Sequence, residues 1–422
     1  MPIFNGTHID VPLVDVVDGD TIRVALPAPY GNESIRILCL DTEEKPGSGG
    51  SKPKTPWGQK ATERAQQFFQ IGQDVTLEFP GTESVEICLR KYRGNFNRVL
   101  AFVYFGEQDF QETMIQEGYS PYFNKYGHAT FEDNHHRYRI AERQAQMANI
   151  GVWNQLAVNG GVLRDYPNLT SWWNGRAALI DDYRQQLAVG KLIYNTRLDY
   201  QVLEEKAQQA KIVTIFTEVS RLNRINNDSI GLVDIGSQAQ PFTLFLPNLQ
   251  SEQGQKLYQL LVNRYIGSET SPRRSYLYVT GELSMFNGKP QMIVSDTQQI
   301  TDFFPQTTIV QPIPDASSDV RIISALPNPI GQDTGKEVVV LRNQSTVAQS
   351  LNQWLLVDKA GNEMPLGDVT VQPGMAEEIT LLGKLVLNNN GDEIILYDQS
   401  HTEMDRVSYT KAQVEIGQPI FF

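Results

Sequence analysis

The spacing of apolar residues changes along the chain, and each change marks a candidate domain. Between residues 10 and 155, "LVDVVDGDTIRVAL" predicts two strands around an Asp18-Gly19-Asp20 hairpin turn. "SIRILCLD", "DVTLEFP" and "RVLAFVYFG" predict three more strands, the apolar run in the first reading as buried on both faces. "TPWGQKATERAQQFFQIG" has a Thr-Pro start, Ala61, Ala65 and Phe68 at helical spacing, and a stop at Gly72. "FQETMIQEG" predicts a short helix closed by Gly118, and "HHRYRIAERQAQMANIGVW" a longer one ending near Gly151. Strands first and helices afterwards predict a small barrel with attached helices over 1–155. Residues 156–210 predict a helical connector, with capping candidates at Thr170 and Ser171 and a stop at Gly190. From Lys211 the period becomes two, and three strands, a helix and two strands over 211–304 follow the order of a five-stranded Greek-key barrel. "PQTTIVQPIPDASSD" (305–319) predicts an extended linker, and the strands and turns of 320–422 an all-β sandwich. The fold class is therefore multidomain and mainly β.

Composition narrows this picture. A chain of 422 residues, 40% hydrophobic and 20% charged, is a folded multidomain protein, and no stretch is long and apolar enough to span a bilayer. The first residues, "MPIFNGTHIDVPLV", show neither a basic segment nor an apolar h-region, so no signal peptide is visible. Cys39 and Cys88 make neither a disulfide framework nor a zinc site. Each sits in a strand-like run, which predicts buried free thiols and leaves a disulfide between them open. The net charge of −13 excludes nucleic-acid binding through the overall field. Phosphate chemistry would need a local cationic site.

Three pieces supply one. Asp18-Gly-Asp-Thr21 and "RILCLDTEE" (Arg36–Glu44) place aspartates at two strand ends, and "NRVLAFVY" puts Arg98 at the mouth of an apolar strand. Such aspartates suit a hard divalent cation, a glutamate just beyond suits deprotonation of water, and two arginines suit a phosphate clamp. Taken singly, each piece has a plainer reading: a turn, a solvated acidic loop, a surface ion pair. Their order and spacing together point to a phosphodiesterase.

The same residues carry a resemblance. Segment 10–155, with "DGDT", "RILCLDTEE", "NFNRVLAFVY" and "AERQAQMANIGVW", resembles the staphylococcal-nuclease (thermonuclease) family. The resemblance implies Ca²⁺ held by Asp20, Asp41 and the Thr42 carbonyl, with Asp18 behind them. It implies Glu44 as general base and Arg36 and Arg98 on the scissile phosphate. It further implies DNA or RNA as substrate, 3′-phosphate products, and an extracellular or cell-envelope location. Two departures stand out. Glu43 replaces the family's proline, which adds charge and predicts a looser turn. Phe96 lacks the hydroxyl of the family's aromatic position, leaving Tyr92, Tyr122 and Tyr126 as candidates for phosphate-binding hydroxyls. The loop "EKPGSGGSKPKTPWGQK" bears Lys45, Lys52, Lys54 and Lys60. It reads either as a basic flap at the substrate, with Lys52 and Lys54 as contacts, or as a plain surface loop.

Residues 211–304 resemble OB-fold domains in their last hairpin, "VTGELSMFNGKPQMIVSDTQQI", with Arg221, Arg224, Phe242 and Phe245 as candidate single-strand contacts. The phenylalanines suit core packing better. "VVVLRN", "LNQWLLVDKAGN", "VQPG" and "NNNGDEIILYDQ" make 320–422 resemble a lamin-tail domain of immunoglobulin-like type, a docking or nucleic-acid-adjacent module without catalysis and with an unknown partner. His135 and His136 are adjacent on a helix and point about 100° apart, so they suit a solvated face. The rival to a nuclease is a nucleic-acid-binding or scaffold protein on a silent nuclease fold.

Overall fold

In the first barrel, the Asp-Gly turn reverses the chain between β1 (His8–Asp18) and β2 (Thr21–Leu26), and Asp18 pairs with Thr21. The computed structural model describes residues 4–47, 54–126, 131–154, 164, 166–267, 273–305, 320–330, 335–345 and 347–422. β3 (Gly31–Ile37), β4 (Asp74–Glu78), β5 (Val99–Phe105) and β6 (Gln108–Asp109) complete this sheet, in the order β3-β2-β1-β4-β5-β6. A parallel pairing of β3 with β5 closes β1–β5 into a barrel. β5 is buried at every position but the last, because it pairs on both sides, with β3 and β4, inside one core.

α1 (Pro56–Phe68) starts where Thr55-Pro56 predicts, with the Thr55 hydroxyl accepting from the Gly58 N–H, and it buries Ala61, Ala65 and Phe68. It ends at Phe68, short of the expected stop at Gly72, whose φ of +85° instead serves the turn into β4. α2 (Val85–Lys91) is a correction: Cys88 lies on this helix, not on a strand. Two apolar residues among charges cannot reveal a period, and Cys88 and Leu89 together form its buried face. Both cysteines are buried free thiols. α3 (Phe110–Gln116) and α4 (Glu132–Met147) follow as expected.

The connector contains α5 (Tyr166–Ala188), a short strand β7 (Tyr194–Asn195) and α6 (Tyr200–Gln208). A second sheet follows, with β8 (Ile212–Glu218), β9 (Arg221–Ile225), β10 (Ile230–Asp234) and β11 (Thr243–Leu246). After α7 (Glu252–Leu260) come β12 (Tyr276–Phe286), β13 (Lys289–Ile293) and β14 (Ile300–Thr301). The strand order is β7-β8-β12-β13-β11-β10-β9, with β11 parallel to β13. If β8 and β9 count as one bent strand, this order matches that of the first barrel, including the parallel third-to-fifth pairing.

The chain divides into two compact units: Met1–Leu169, Leu192–Ser275 and Gly281–Ser295 form one, and Thr170–Lys191, Tyr276–Thr280 and Asp296–Phe422 the other. The second unit carries the sandwich, two four-stranded sheets and a two-stranded ribbon. The proposed linker lies almost wholly outside the described residues. Among the described residues, no helix is long and apolar enough to cross a membrane.

One buried acid burdens the first barrel. Glu142 on α4 accepts the Tyr122 N–H at 2.8 Å. Burial pushes its carboxyl up to about 7, against the pull of that N–H and of Arg139. Because the folded pKa exceeds the unfolded one, the native state binds the extra proton and stability falls as pH rises through this range. Glu142→Gln should therefore raise stability at pH 8 by up to about 3 kcal/mol. The gain should shrink toward zero as pH drops below the unfolded value, as denaturant titrations at several pH values would show.

Candidate active site

The site is built on the chain reversal that follows β3. The expected double-faced strand stops at Ile37; Cys39 then adopts a φ of +64°, and the reversal carries Asp41 back toward the β1–β2 hairpin. Two glycines permit this approach. A Cβ on Gly19 would lie 2.8 Å from the Thr42 methyl, and one on Gly58 only 2.2 Å from the Glu44 carbonyl oxygen.

Arg36 occupies the centre. Its guanidinium donates to the Leu40 carbonyl at 2.6 Å and the Ile37 carbonyl at 2.9 Å. It also pairs with Asp20 Oδ1 at 3.3 Å and Asp41 Oδ1 at 3.2 Å. Burial alone would lower its pKa, but Asp20 and Asp41 raise it above the ordinary arginine value. Thr42 donates to Asp20 Oδ2 from both its N–H (3.2 Å) and its hydroxyl (3.3 Å). Arg98, partly exposed at the start of β5, donates to the Thr21 hydroxyl at 3.1 Å, which itself donates to Asp20 Oδ1 at 2.9 Å. Arg36 thus meets the Asp20 carboxylate directly, and Arg98 reaches it through the Thr21 hydroxyl.

Acids crowd the same place. Asp18 accepts the Asp20 N–H at 3.1 Å, and its carboxyl is pushed up to about 7, first by burial, then by the charge of Asp20, with a smaller contribution from Glu44. Oxygen donors under mutual repulsion fit a hard divalent cation, which would relieve that charge. Among the described residues, no group of three or more His, Cys, Asp or Glu side chains is placed to hold an ion by itself.

Glu43 departs from expectation. It is 2% exposed, and its turn is tied rather than loosened. The Thr55 hydroxyl donates to Oε2, while the Tyr166 hydroxyl (3.0 Å) and the Arg164 N–H (3.2 Å) donate to Oε1. The Arg164 guanidinium meets Asp41 Oδ2 at 2.5 Å and the Asp41 carbonyl at 3.2 Å. Arg164 and Tyr166 escaped the sequence reading, because nothing local marks a connector residue that contacts a turn more than a hundred positions earlier. Arg197 escaped it too. It donates to the Arg93 carbonyl at 3.0 Å and to Asn95 Oδ1, bracing the loop that leads to Arg98.

The other candidates scatter. The Tyr92 hydroxyl donates to Glu83 at 3.0 Å, and the Tyr122 hydroxyl bonds His135 Nδ1 at 2.7 Å, so this histidine is engaged rather than merely solvated. Tyr126 lies near enough to Arg36 to act on its charge, and Arg197 covers its ring at 5.6 Å. Glu44 is half-buried beside exposed Lys54, with which it forms a backbone bridge. Lys52 lies outside the described residues.

Comparison with known proteins assigns this barrel its class. Residues 34–155 match the family model of the Staphylococcal nuclease homologue, and residues 314–411 that of the Lamin Tail Domain. The chain thus carries a nuclease-type domain and a lamin-tail domain. Among individual relatives, it is 29% identical over 151 residues to the SPbeta prophage-derived endonuclease YokF of Bacillus subtilis, covering 35% of this chain and 45% of that protein. It is 28% identical to the endonuclease YncB of the same organism (35% and 63%) and 28% identical to the thermonuclease of Staphylococcus hyicus (36% and 79%). The matched region therefore spans less than two thirds of the first two relatives.

The two arginines should separate in a stability assay. Arg36→Ala leaves buried Asp20 without a cation and buried Asp41 with Arg164 alone, and should cost about 3–5 kcal/mol in chelator-treated protein. Arg98→Ala removes a partly exposed donor and should stay within about 1 kcal/mol. Equal losses in urea titrations would contradict the central place of Arg36.

Proposed function

We propose that this protein is a Ca²⁺-dependent nuclease that hydrolyses DNA, RNA or both. The observation carrying this reading is the convergence of Arg36 and Arg98 on Asp20, next to Asp41 and the half-buried Glu44. Asp20, Asp41 and the Thr42 carbonyl would hold the cation, with water completing its shell. When bound, the ion would supply positive charge at the scissile phosphate. Arg98 would donate to a phosphoryl oxygen and so oppose the charge that builds up as water attacks phosphorus. Arg36 would share that work through any donor the phosphate can reach, while keeping both aspartates in place. Glu44 would take the proton from the attacking water, and the bond from phosphorus to the 5′ oxygen would break, that oxygen taking a proton from solvent, to leave a 3′-phosphate and a 5′-hydroxyl. The lamin-tail domain would act as a docking module without catalysis.

The rival reading, a binding or scaffold protein without turnover, draws on the Arg164 guanidinium seated against Asp41. Purified protein incubated with single-stranded DNA, duplex DNA and RNA, in Ca²⁺ or chelator, separates the two. The nuclease reading expects Ca²⁺-dependent digestion of at least one of them. Intact substrates beside retained binding would establish the rival.

Arg98→Ala should lower turnover by about two orders of magnitude with an unchanged circular dichroism spectrum. Ca²⁺ should raise the melting temperature only while Asp20 and Asp41 are both present, because a ligand stabilises the state that binds it. A Ca²⁺ shift that survives in the double Asp→Ala variant would place the ion elsewhere.

A further inference from the structure

Neither Arg164 nor Tyr166 lies within the segment that matches the nuclease family, yet both reach the turn that carries its acids. Asp41 is gripped on both oxygens, Oδ1 by Arg36 and Oδ2 by Arg164. A carboxylate offers about four lone-pair sites, so this grip fixes the group and leaves sites for a further ligand. Glu43 is fixed in the same way, one oxygen by Thr55 at the start of α1 and the other by Tyr166 and the Arg164 N–H. The Arg164 guanidinium stacks over the Tyr166 ring at 5.9 Å, so the two residues form one element. Tyr166 is fully buried, packed edge-on against Trp153 at 5.9 Å. Burial holds its phenol well above the ordinary tyrosine value, and the hydroxyl stays a donor.

We propose that Arg164 and Tyr166 are positioning residues for the cation-binding turn: Arg164 orients Asp41, and Tyr166, through Glu43, fixes the backbone that presents Glu44. The element does for this turn what a rigid residue at position 43 would do, by side-chain contact from a distant part of the chain. Neither residue touches the reacting atoms. Their effect reaches the cation and the base only through the groups they hold, as partners outside a metal's own ligands commonly do.

This inference rests on the nuclease reading, and its test begins with Ca²⁺ binding to the full-length protein without substrate. By isothermal titration, Arg164→Gln and Tyr166→Phe should each weaken Ca²⁺ binding about tenfold. In cleavage assays, kcat should fall while KM for DNA holds, because nucleic-acid contacts are untouched. Tyr166→Phe combined with Glu43→Ala should lose no more than Glu43→Ala alone, since removing the carboxylate already removes the acceptor of the Tyr166 hydroxyl. Arg164→Lys, which keeps the charge, should recover part of the affinity. Wild-type Ca²⁺ affinity in both Arg164→Gln and Tyr166→Phe would overturn the proposal while leaving the nuclease reading intact. Tighter binding in Arg164→Gln would also overturn it, making Arg164 a competitor of the cation. A wild-type protein that neither takes up Ca²⁺ nor cleaves would overturn both readings together.

Discussion

The buried guanidinium of Arg36 is the interaction on which the first domain's site depends. It sits 8% exposed among two carboxylates and three main-chain carbonyls, and each needs a donor that water cannot supply. A planar fork can serve all of them at once, whereas a lysine ammonium at this place would leave some unpaired. The same contacts that neutralise the charge also fix the reversal after Ile37. Local backbone shape and electrostatics therefore share one cause.

The barrel topology explains why these groups meet. Parallel pairing of β3 with β5 brings Arg36 beside Leu100, and the hairpin between β1 and β2 delivers Asp20 to the same end. Thr21 pairs with Arg36 across β2 and β3, and its hydroxyl bridges Arg98 and Asp20. A strand order that closes the sheet thus converts residues from three separate stretches of sequence into one cluster. The second barrel repeats that order, and among the described residues it carries no comparable cluster. The fold supplies a platform, and the residues at one end of it decide whether chemistry follows.

Much of this was legible in the sequence, for physical reasons that particular residues show. Asp18 to Thr21 is a short segment whose turn chemistry fixes its own geometry, whereas the apolar run after Arg36 predicts a strand and the chain instead reverses after Ile37. The Thr55-Pro56 start of α1 is a local signal as well, and it holds. α2 was hidden because seven residues with two buried positions give no readable period. Glu43 misled because a carboxylate in a turn normally faces water. Its partners Arg164 and Tyr166 are 121 and 123 residues away, a distance over which no local pattern operates.

That distance bears on how the site is kept in shape. A proline in a turn restricts the unfolded chain as well as the folded one, so its effect is present wherever the residue is. A tether made by side chains acts only once the connector has docked, and it ties the order of the turn to the folding of α5's first residues. Arg197 adds a parallel dependence, since the loop leading to Arg98 is braced from the segment before α6. The acids and the arginine therefore both lean on residues beyond the boundary at which the family match stops. A fragment ending at residue 155 would keep every residue the resemblance assigns to catalysis and lose the contacts that hold two of their loops. For this protein the unit of structure that matters to the site is larger than the unit of sequence that resembles a nuclease.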